Sequence, residues 1–260
     1  DLNATDMDLD IVASVEADVD AMGSTTAPAH TLYEIVRKLP DGSQVELDAT
    51  SDPGQLILRS GRSHFKLTCL PTEDFPVMAG GDQTHLFSIA AGDLRTLIDR
   101  TRFAISTEET RYYLNGIYIH KGESGELCAV ATDGHRLAQV DINLPHGAEG
   151  MPSIIVPRKT VGEVRKLLED TEGDIKVTVS SNKIKFIIND CSLTSKLIDG
   201  SFPDYQRVIP KENTNNLVVS TREFKDAVDR VSTISVEKSR AVKLSLDKNN
   251  LILKVNSHDT

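Results

Sequence analysis

The sequence predicts an α+β protein made of tandem homologous domains, with short helices on one face of antiparallel sheets. Three observations predict it: sequence signals recur at a domain-sized period, period-2 alternation dominates the chain, and four short stretches of helical spacing sit among those strands. The recurrence is clearest at Val130-Ala131-Thr132-Asp133-Gly134-His135-Arg136-Leu137-Ala138. Its opening is echoed by Asn3-Ala4-Thr5-Asp6 and by Val255-Asn256-Ser257-His258-Asp259. Asp6, Asp133 and Asp259 are spaced about 127 residues apart. Pro28-Ala29-His30-Thr31 runs into Val36-Arg37-Lys38-Leu39 as Pro157-Arg158-Lys159-Thr160 runs into Val164-Arg165-Lys166-Leu167. Ile98-Asp99-Arg100 is echoed by Val228-Asp229-Arg230, and Asp74-Phe75-Pro76 by Ser201-Phe202-Pro203. Matches in one order and phase exclude chance, and the period is that of a domain rather than a solenoid repeat.

The chain begins with Asp1 and starts and stops at the same phase of the repeat. The expectation is a fragment of a longer protein: residues 1–82 the C-terminal part of one domain, 83–212 a complete second, 213–260 the N-terminal part of a third. Gly80-Gly81 marks the first linker and the stretch after Pro210 the second.

Taken in order, Asp6 to Val15 alternates and predicts a strand with one wet face. Its spaced aspartates do not make a calcium loop, because Ile11 stands where the sharp turn needs Gly and no Glu closes it. Thr31 to Leu39 predicts a helix with Leu32, Ile35, Val36 and Leu39 inward, stopped by Pro40-Asp41-Gly42. Strands follow at 45–49, 55–60 and 63–70. The middle domain reads as a strand at 85–90, a helix at 93–103, and strands at 114–120, 126–131 and 136–142. The cycle then repeats with a strand at 153–156, a helix at 159–168, and strands at 175–180, 183–189 and 192–198. Each period is thus two βαβββ units. A strand at 217–220, a helix at 222–231 and strands at 241–246 and 251–255 close the chain.

Composition narrows the function. No apolar run approaches a membrane span. Cys69, Cys128 and Cys191 are an odd, scattered set in apolar runs, read as buried thiols of a reducing cytoplasm, with no spacing that suggests a metal. The net charge of −10 argues against a protein that coats nucleic acid through bulk positive charge. Yet the four predicted helices are rich in cations: Arg37 and Lys38; Arg95, Arg100 and Arg102; Lys159, Arg165 and Lys166; Arg222, Lys225 and Arg230. Such residues often only solvate a helix face. Recurrence at equivalent positions, against the overall sign, points instead to helices presented to a polyanion.

Catalysis has little support. Asp133 and His135 could be half of a triad, but no Ser or Cys lies in a nucleophile elbow, and no Gly-rich phosphate loop precedes a helix. The chain reads as a non-enzyme without cofactor or metal.

Four motifs carry a family resemblance: Arg111-Tyr112-Tyr113-Leu114-Asn115-Gly116, Ala131-Thr132-Asp133-Gly134-His135-Arg136-Leu137-Ala138, Ile155-Val156-Pro157-Arg158-Lys159, and Phe202-Pro203-Asp204-Tyr205-Gln206-Arg207-Val208-Ile209-Pro210. Together they resemble the bacterial DNA polymerase III beta subunit, the sliding clamp, over essentially the whole chain. The resemblance implies the DNA-clamp fold and a cytoplasmic processivity factor for DNA replication. In that family a homodimer closes into a ring around duplex DNA, with helices lining the hole. It further implies partners, namely the replicative polymerase alpha subunit, the clamp loader and other proteins with a clamp-binding motif. These insert a short apolar peptide into a pocket between the second and third domains. The matching positions are Leu114, Thr132, Gly134, His135, Arg136, Leu137, Pro203, Arg207 and Val208. The family's DNA contacts map to Arg37, Tyr112, Tyr113 and Lys159, and the helix cations add Lys38, Arg95, Arg102, Lys166, Arg222 and Lys225 as expected DNA-facing positions. Ser239 stands where an aromatic is frequent, and Glu108 where a neutral amide is common, which should weaken that local DNA contact. The competing reading is a repeat-built protein–protein adaptor that never encircles DNA.

Overall fold

The structure, a computed structural model, describes residues 1–51, 54–78, 84–235 and 241–255. Contacts divide it into two units, Asp1–Pro203 and Asp204–Thr260.

The first unit opens with a hairpin of β1 (Leu2–Thr5) and β2 (Leu9–Ala13), paired Leu2 to Ala13 and Thr5 to Asp10. The single strand expected from Asp6 is therefore corrected: Asp6 to Asp8 form the turn. The Asp6 carboxylate accepts the backbone N–H groups of Asp8 at 3.0 Å and Leu9 at 2.8 Å, and Met7 adopts φ 77°. Local side-chain bonding of this kind competes with a strand ladder and wins here.

Helix α1 (Ala29–Val36) follows Pro28. Its stripe is not buried as expected: Leu32, Ile35 and Leu39 are half-buried, and Val36 is exposed. Strands β3 (Glu46–Asp48), β4 (Gln55–Ser60) and β5 (Ser63–Thr68) form a separate antiparallel sheet, in which β4 buries Leu56, Ile57 and Leu58.

The middle of the chain follows the expected order. It runs β6 (His85–Ala90), α2 (Ala91–Asp99), β7 (Gly116–Lys121), β8 (Glu126–Thr132), β9 (Leu137–Asn143), β10 (Ile154–Pro157), α3 (Arg158–Leu167), β11 (Asp174–Val179), β12 (Lys183–Ile188) and β13 (Cys191–Lys196). That is βαβββ twice. Leu114, expected in a strand, instead ends a 3₁₀ segment, Glu109–Leu114. One sheet has the order β10-β7-β8-β9. The other is β1-β2-β13-β12-β11-β6, so the N-terminal hairpin extends the middle sheet through β2 and β13, with Leu193 opposite Ile11. The helices bury Leu94, Leu97 and Ile98 of α2 and Val161 and Val164 of α3, and Leu168 beyond α3, in one apolar core with both sheets. Each such side chain contributes about 1.5–3 kcal/mol by leaving water. Gly116 lets β7 and β10 meet, because a Cβ there would lie 2.2 Å from the Val156 carbonyl oxygen.

The second unit contains a 3₁₀ turn at Tyr205–Val208, α4 (Thr221–Ser232), and the hairpin β14 (Lys243–Asp247) with β15 (Asn250–Lys254). Ser220 caps α4 by accepting the Glu223 N–H at 3.4 Å. Residues 217–220, expected as a strand, form none, and Val218 is almost fully exposed. A strand exists only with a hydrogen-bonded neighbour, and none pairs here among the described residues. Of the cysteines only Cys128 is buried; Cys69 and Cys191 are half-buried, which corrects the reading of three buried thiols.

Candidate partner and nucleic-acid surfaces

The Ala131–Ala138 motif makes the turn between β8 and β9. Thr132 Oγ1 accepts the Gly134 N–H at 3.1 Å and donates to the Arg136 carbonyl at 2.7 Å. Asp133 Oδ1 accepts the N–H groups of His135 and Arg136, each at 3.0 Å, while Oδ2 takes Arg136 Nε at 3.0 Å. Partial burial pushes the Asp133 pKa up, but those N–H groups and the Arg136 guanidinium outweigh it and hold the carboxyl below its ordinary value. Gly134 has φ 87°, and a Cβ there would lie 2.8 Å from Arg111 Nη1. The positive φ is what requires glycine here; the guanidinium end above it could shift.

Arg111 belongs to the 3₁₀ segment that ends in Leu114, so the turn and that segment pack together. Its Nε pairs with Glu108 at 2.7 Å. Arg136 is held by Asp133 and lies 5.6 Å from the Phe103 ring centre. Leu114 is only 3 % exposed, whereas Leu137 is half-buried and His135 and Arg136 are exposed. The result is a hydrogen-bonded turn with an exposed polar rim. Pro203 is exposed at the end of this unit. In the second unit Arg207 pairs with Asp204 at 2.7 Å, and Val208 is 70 % exposed. Glu108, Arg111 and Phe103 were missed from the sequence as members of this region. The Glu108–Arg111 spacing of three was the available signal.

The cationic positions divide more sharply than expected. Lys159 and Lys166 are exposed on one face of α3, opposite buried Val161 and Val164, and Arg158 is exposed at its first position. Arg95 is a correction: its guanidinium donates to the carbonyls of Leu168, Glu169 and Thr171 and so closes the C-terminal end of α3. It is half-buried, unavailable to a polyanion, and its Nε is buried without a partner. Arg165, expected off the apolar stripe, is also half-buried and pairs with Asp99 at 2.8 Å; Arg102 meets the same carboxylate at 3.2 Å. Lys159 pairs with Asp6, and Lys166 with Glu163 at 2.9 Å. Arg37 and Lys38 share Glu34, at 2.9 and 3.5 Å. Tyr112 is exposed and packs edge-to-face on Tyr113, with ring centres 5.8 Å apart. On α4 Arg222 and Lys225 are exposed and three residues apart, hence on one face. Ser239 lies outside the described residues. Among the described residues, no cluster of three or more His, Cys, Asp or Glu could hold a metal ion, and no helix is long and apolar enough to cross a membrane.

Repeated βαβββ units with helices over antiparallel sheets, and the same pinned turn at Asp6 and Asp133, define a tandem-domain α+β protein. Comparison with known proteins gives the family. Residues 1–79, 88–204 and 206–260 match the family models described as the N-terminal, central and C-terminal domains of the DNA polymerase III beta subunit. The chain is 51 % identical to the beta sliding clamp of Caulobacter vibrioides over 256 residues, covering 97 % of this chain and 69 % of that relative. The Pseudomonas aeruginosa beta sliding clamp is 36 % identical over 257 residues, with 98 % and 69 % covered. Among solved structures, the Bartonella birtlesii sliding clamp bound to griselimycin aligns with a TM-score of 0.94 at 50 % identity, covering 99 % of this chain and 70 % of that one. The chain belongs to the beta sliding clamps, the processivity factors of DNA polymerase III.

Proposed function

We propose that the chain forms part of a homodimeric ring that encircles duplex DNA in the cytoplasm and slides along it. On this reading residues 1–82, 83–212 and 213–260 belong to successive domains. The replicative polymerase alpha subunit, the clamp loader and other clamp-binding-motif proteins dock a short apolar peptide at the Thr132–Leu137 turn, over Leu114. Pro203, and in the second unit Arg207 and Val208, are further residues that the resemblance assigns to partner binding. The observation that carries this is the turn itself: five hydrogen bonds involving Thr132 and Asp133 hold an exposed polar rim in place. Lys159 and Lys166 on α3, Arg37 and Lys38 near the end of α1, Arg222 and Lys225 on α4, and Tyr112 with Tyr113 face the duplex. Many of these cations are already ion-paired, which suits weak contacts that do not arrest sliding.

The test is retention on DNA. Loaded onto a nicked circular plasmid by its clamp loader, the protein should stay bound and be released when the circle is cut. An adaptor that never encircles DNA would behave alike on circular and linear molecules.

A further inference from the structure

One cation of α3 is held differently from the other DNA-facing positions. Lys166 pairs with Glu163, and Arg37 and Lys38 with Glu34, each within one helix at a spacing of three or four. Such pairs are soft, because both long side chains rotate on a solvated face. Lys159 instead pairs with Asp6, 153 residues away in the turn between β1 and β2. That carboxylate is pinned. Its Oδ1 accepts the N–H groups of Asp8 at 3.0 Å and Leu9 at 2.8 Å, which leaves Oδ2 for Lys159 Nζ. The turn is pinned in its own right: Lys196 donates its backbone N–H to the Asp8 carbonyl at 2.9 Å and its Nζ to Asp8 Oδ1 at 3.1 Å. Behind it β2 pairs with β13 of the middle sheet.

The first turn of α3, Arg158-Lys159-Thr160-Val161, carries two cations and no acidic residue of its own. Asp6 supplies the anion from another element. Its hydrogen bond outweighs the loss of water around the ammonium and raises the Lys159 pKa, and Glu163 and Asp8 add to that effect. A carboxylate oxygen and a phosphate oxygen make the same demand on an ammonium group, one charge-assisted hydrogen bond. The Lys159 side chain is 62 % exposed and that of Asp6 40 %, so a phosphate can reach the pair. The two acceptors compete.

We infer that Asp6 is a built-in competitor of the DNA backbone: it occupies Lys159 Nζ, and this cation contributes to duplex binding only when the N-terminal hairpin releases it. The inference rests on the reading that α3 faces the duplex. The hairpin weakens duplex binding at Lys159, and by linkage the duplex weakens the docking of the hairpin on α3 by the same factor.

Anisotropy of a short labelled duplex, titrated with the 260-residue chain at several salt concentrations, tests it. Asp6→Asn keeps the oxygen that holds the turn and removes the charge. It should tighten binding about threefold. It should also steepen the fall of log affinity with log salt by about one, the change expected for one more neutralised phosphate. In a Lys159→Ala background Asp6→Asn should alter neither quantity. Asp8→Asn removes the same charge two residues on, from the partner of Lys196, and should leave the slope as it is. An unchanged slope in Asp6→Asn, a shift that persists without Lys159, or an equal shift in Asp8→Asn overturns the inference. If Lys166→Ala still lowers the slope, the reading that α3 faces the duplex stands without it. If neither Asp6→Asn nor Lys166→Ala moves the slope, that reading falls, and the inference with it.

Discussion

Asp6 and Asp133, one repeat apart, hold the same turn. Each Oδ1 accepts the N–H groups two and three residues on, from Asp8 and Leu9 in one case and from His135 and Arg136 in the other. The preceding threonine completes both: Thr5 Oγ1 accepts the Met7 N–H and Thr132 Oγ1 the Gly134 N–H, each at 3.1 Å. The residue after the aspartate has φ 77° at Met7 and 87° at Gly134. The two copies differ in what the second carboxylate oxygen does. Asp6 pairs with Lys159 and so ties the N-terminal hairpin to α3, whereas Asp133 clamps Arg136 within its own turn.

Met7 sits in a backbone region that costs an L-residue about 1–2 kcal/mol. Met7→Gly removes that strain and loses about 0.4–1 kcal/mol through the freer unfolded chain. The net expectation is a gain of about 0.5 kcal/mol, read as a higher denaturant midpoint. Gly134→Ala should do the reverse, lowering the midpoint and displacing Arg111.

The Asp6–Lys159 pair predicts a specific acid response. The Lys159 ammonium lowers the Asp6 pKa from 3.8 to about 2. A depressed carboxylate stabilises the fold above its unfolded pKa, and that contribution fades as pH falls through the folded value. Thermal melts of the unaltered chain and Asp6→Asn, which keeps the turn's acceptor, should differ by at most about 1 kcal/mol at neutral pH for so exposed a pair. The difference should vanish between pH 3.8 and about 2. A gap that persists at lower pH contradicts the assignment.

Arg95 and Lys166 should separate stability from DNA contact. Arg95→Ala uncaps the end of α3 and should cost about 1–3 kcal/mol, with no change in the salt dependence of DNA binding. Lys166→Ala should leave stability within about 0.5 kcal/mol. It should reduce the slope of log affinity against log salt by about one.

The three thiols should react in sequence. Burial, with Asp141 and Glu126 nearby, pushes the Cys128 thiol up to about 12, and burial also raises Cys191. Titration with a thiol reagent at pH 8 should label Cys69 fastest and Cys128 only on unfolding.

The repeat made much of this legible from sequence. Strand β6 falls on the expected residues, and helical spacing puts Leu94, Leu97 and Ile98 on one stripe and Val161, Val164, Leu167 and Leu168 on another, all buried except half-buried Leu167. The turn at Asp6 was hidden because Met7 gives no sign of a positive φ, although Gly134 at the equivalent place does. Arg95 looked like a surface cation because helical periodicity records a face and not the carbonyls of a neighbouring helix. Residues 217–220 have strand composition, but pairing is a property of a partner and not of the segment. The residues proposed for the peptide site rest on motif resemblance. Arg111 and Phe103 escaped because their roles depend on the turn folding over one and beside the other.

The central claim is that partner ligands seat on the Thr132–Leu137 turn above Leu114. Titration of the methyl-labelled chain with griselimycin, followed by nuclear magnetic resonance, tests it most directly. The predicted result is saturable shifts at the methyls of Leu114, Thr132 and Leu137, with those of Val161 and Val164 beneath the cationic face of α3 unmoved. Shifts centred on α3, or saturation with Leu114 and Leu137 unmoved, would contradict the account.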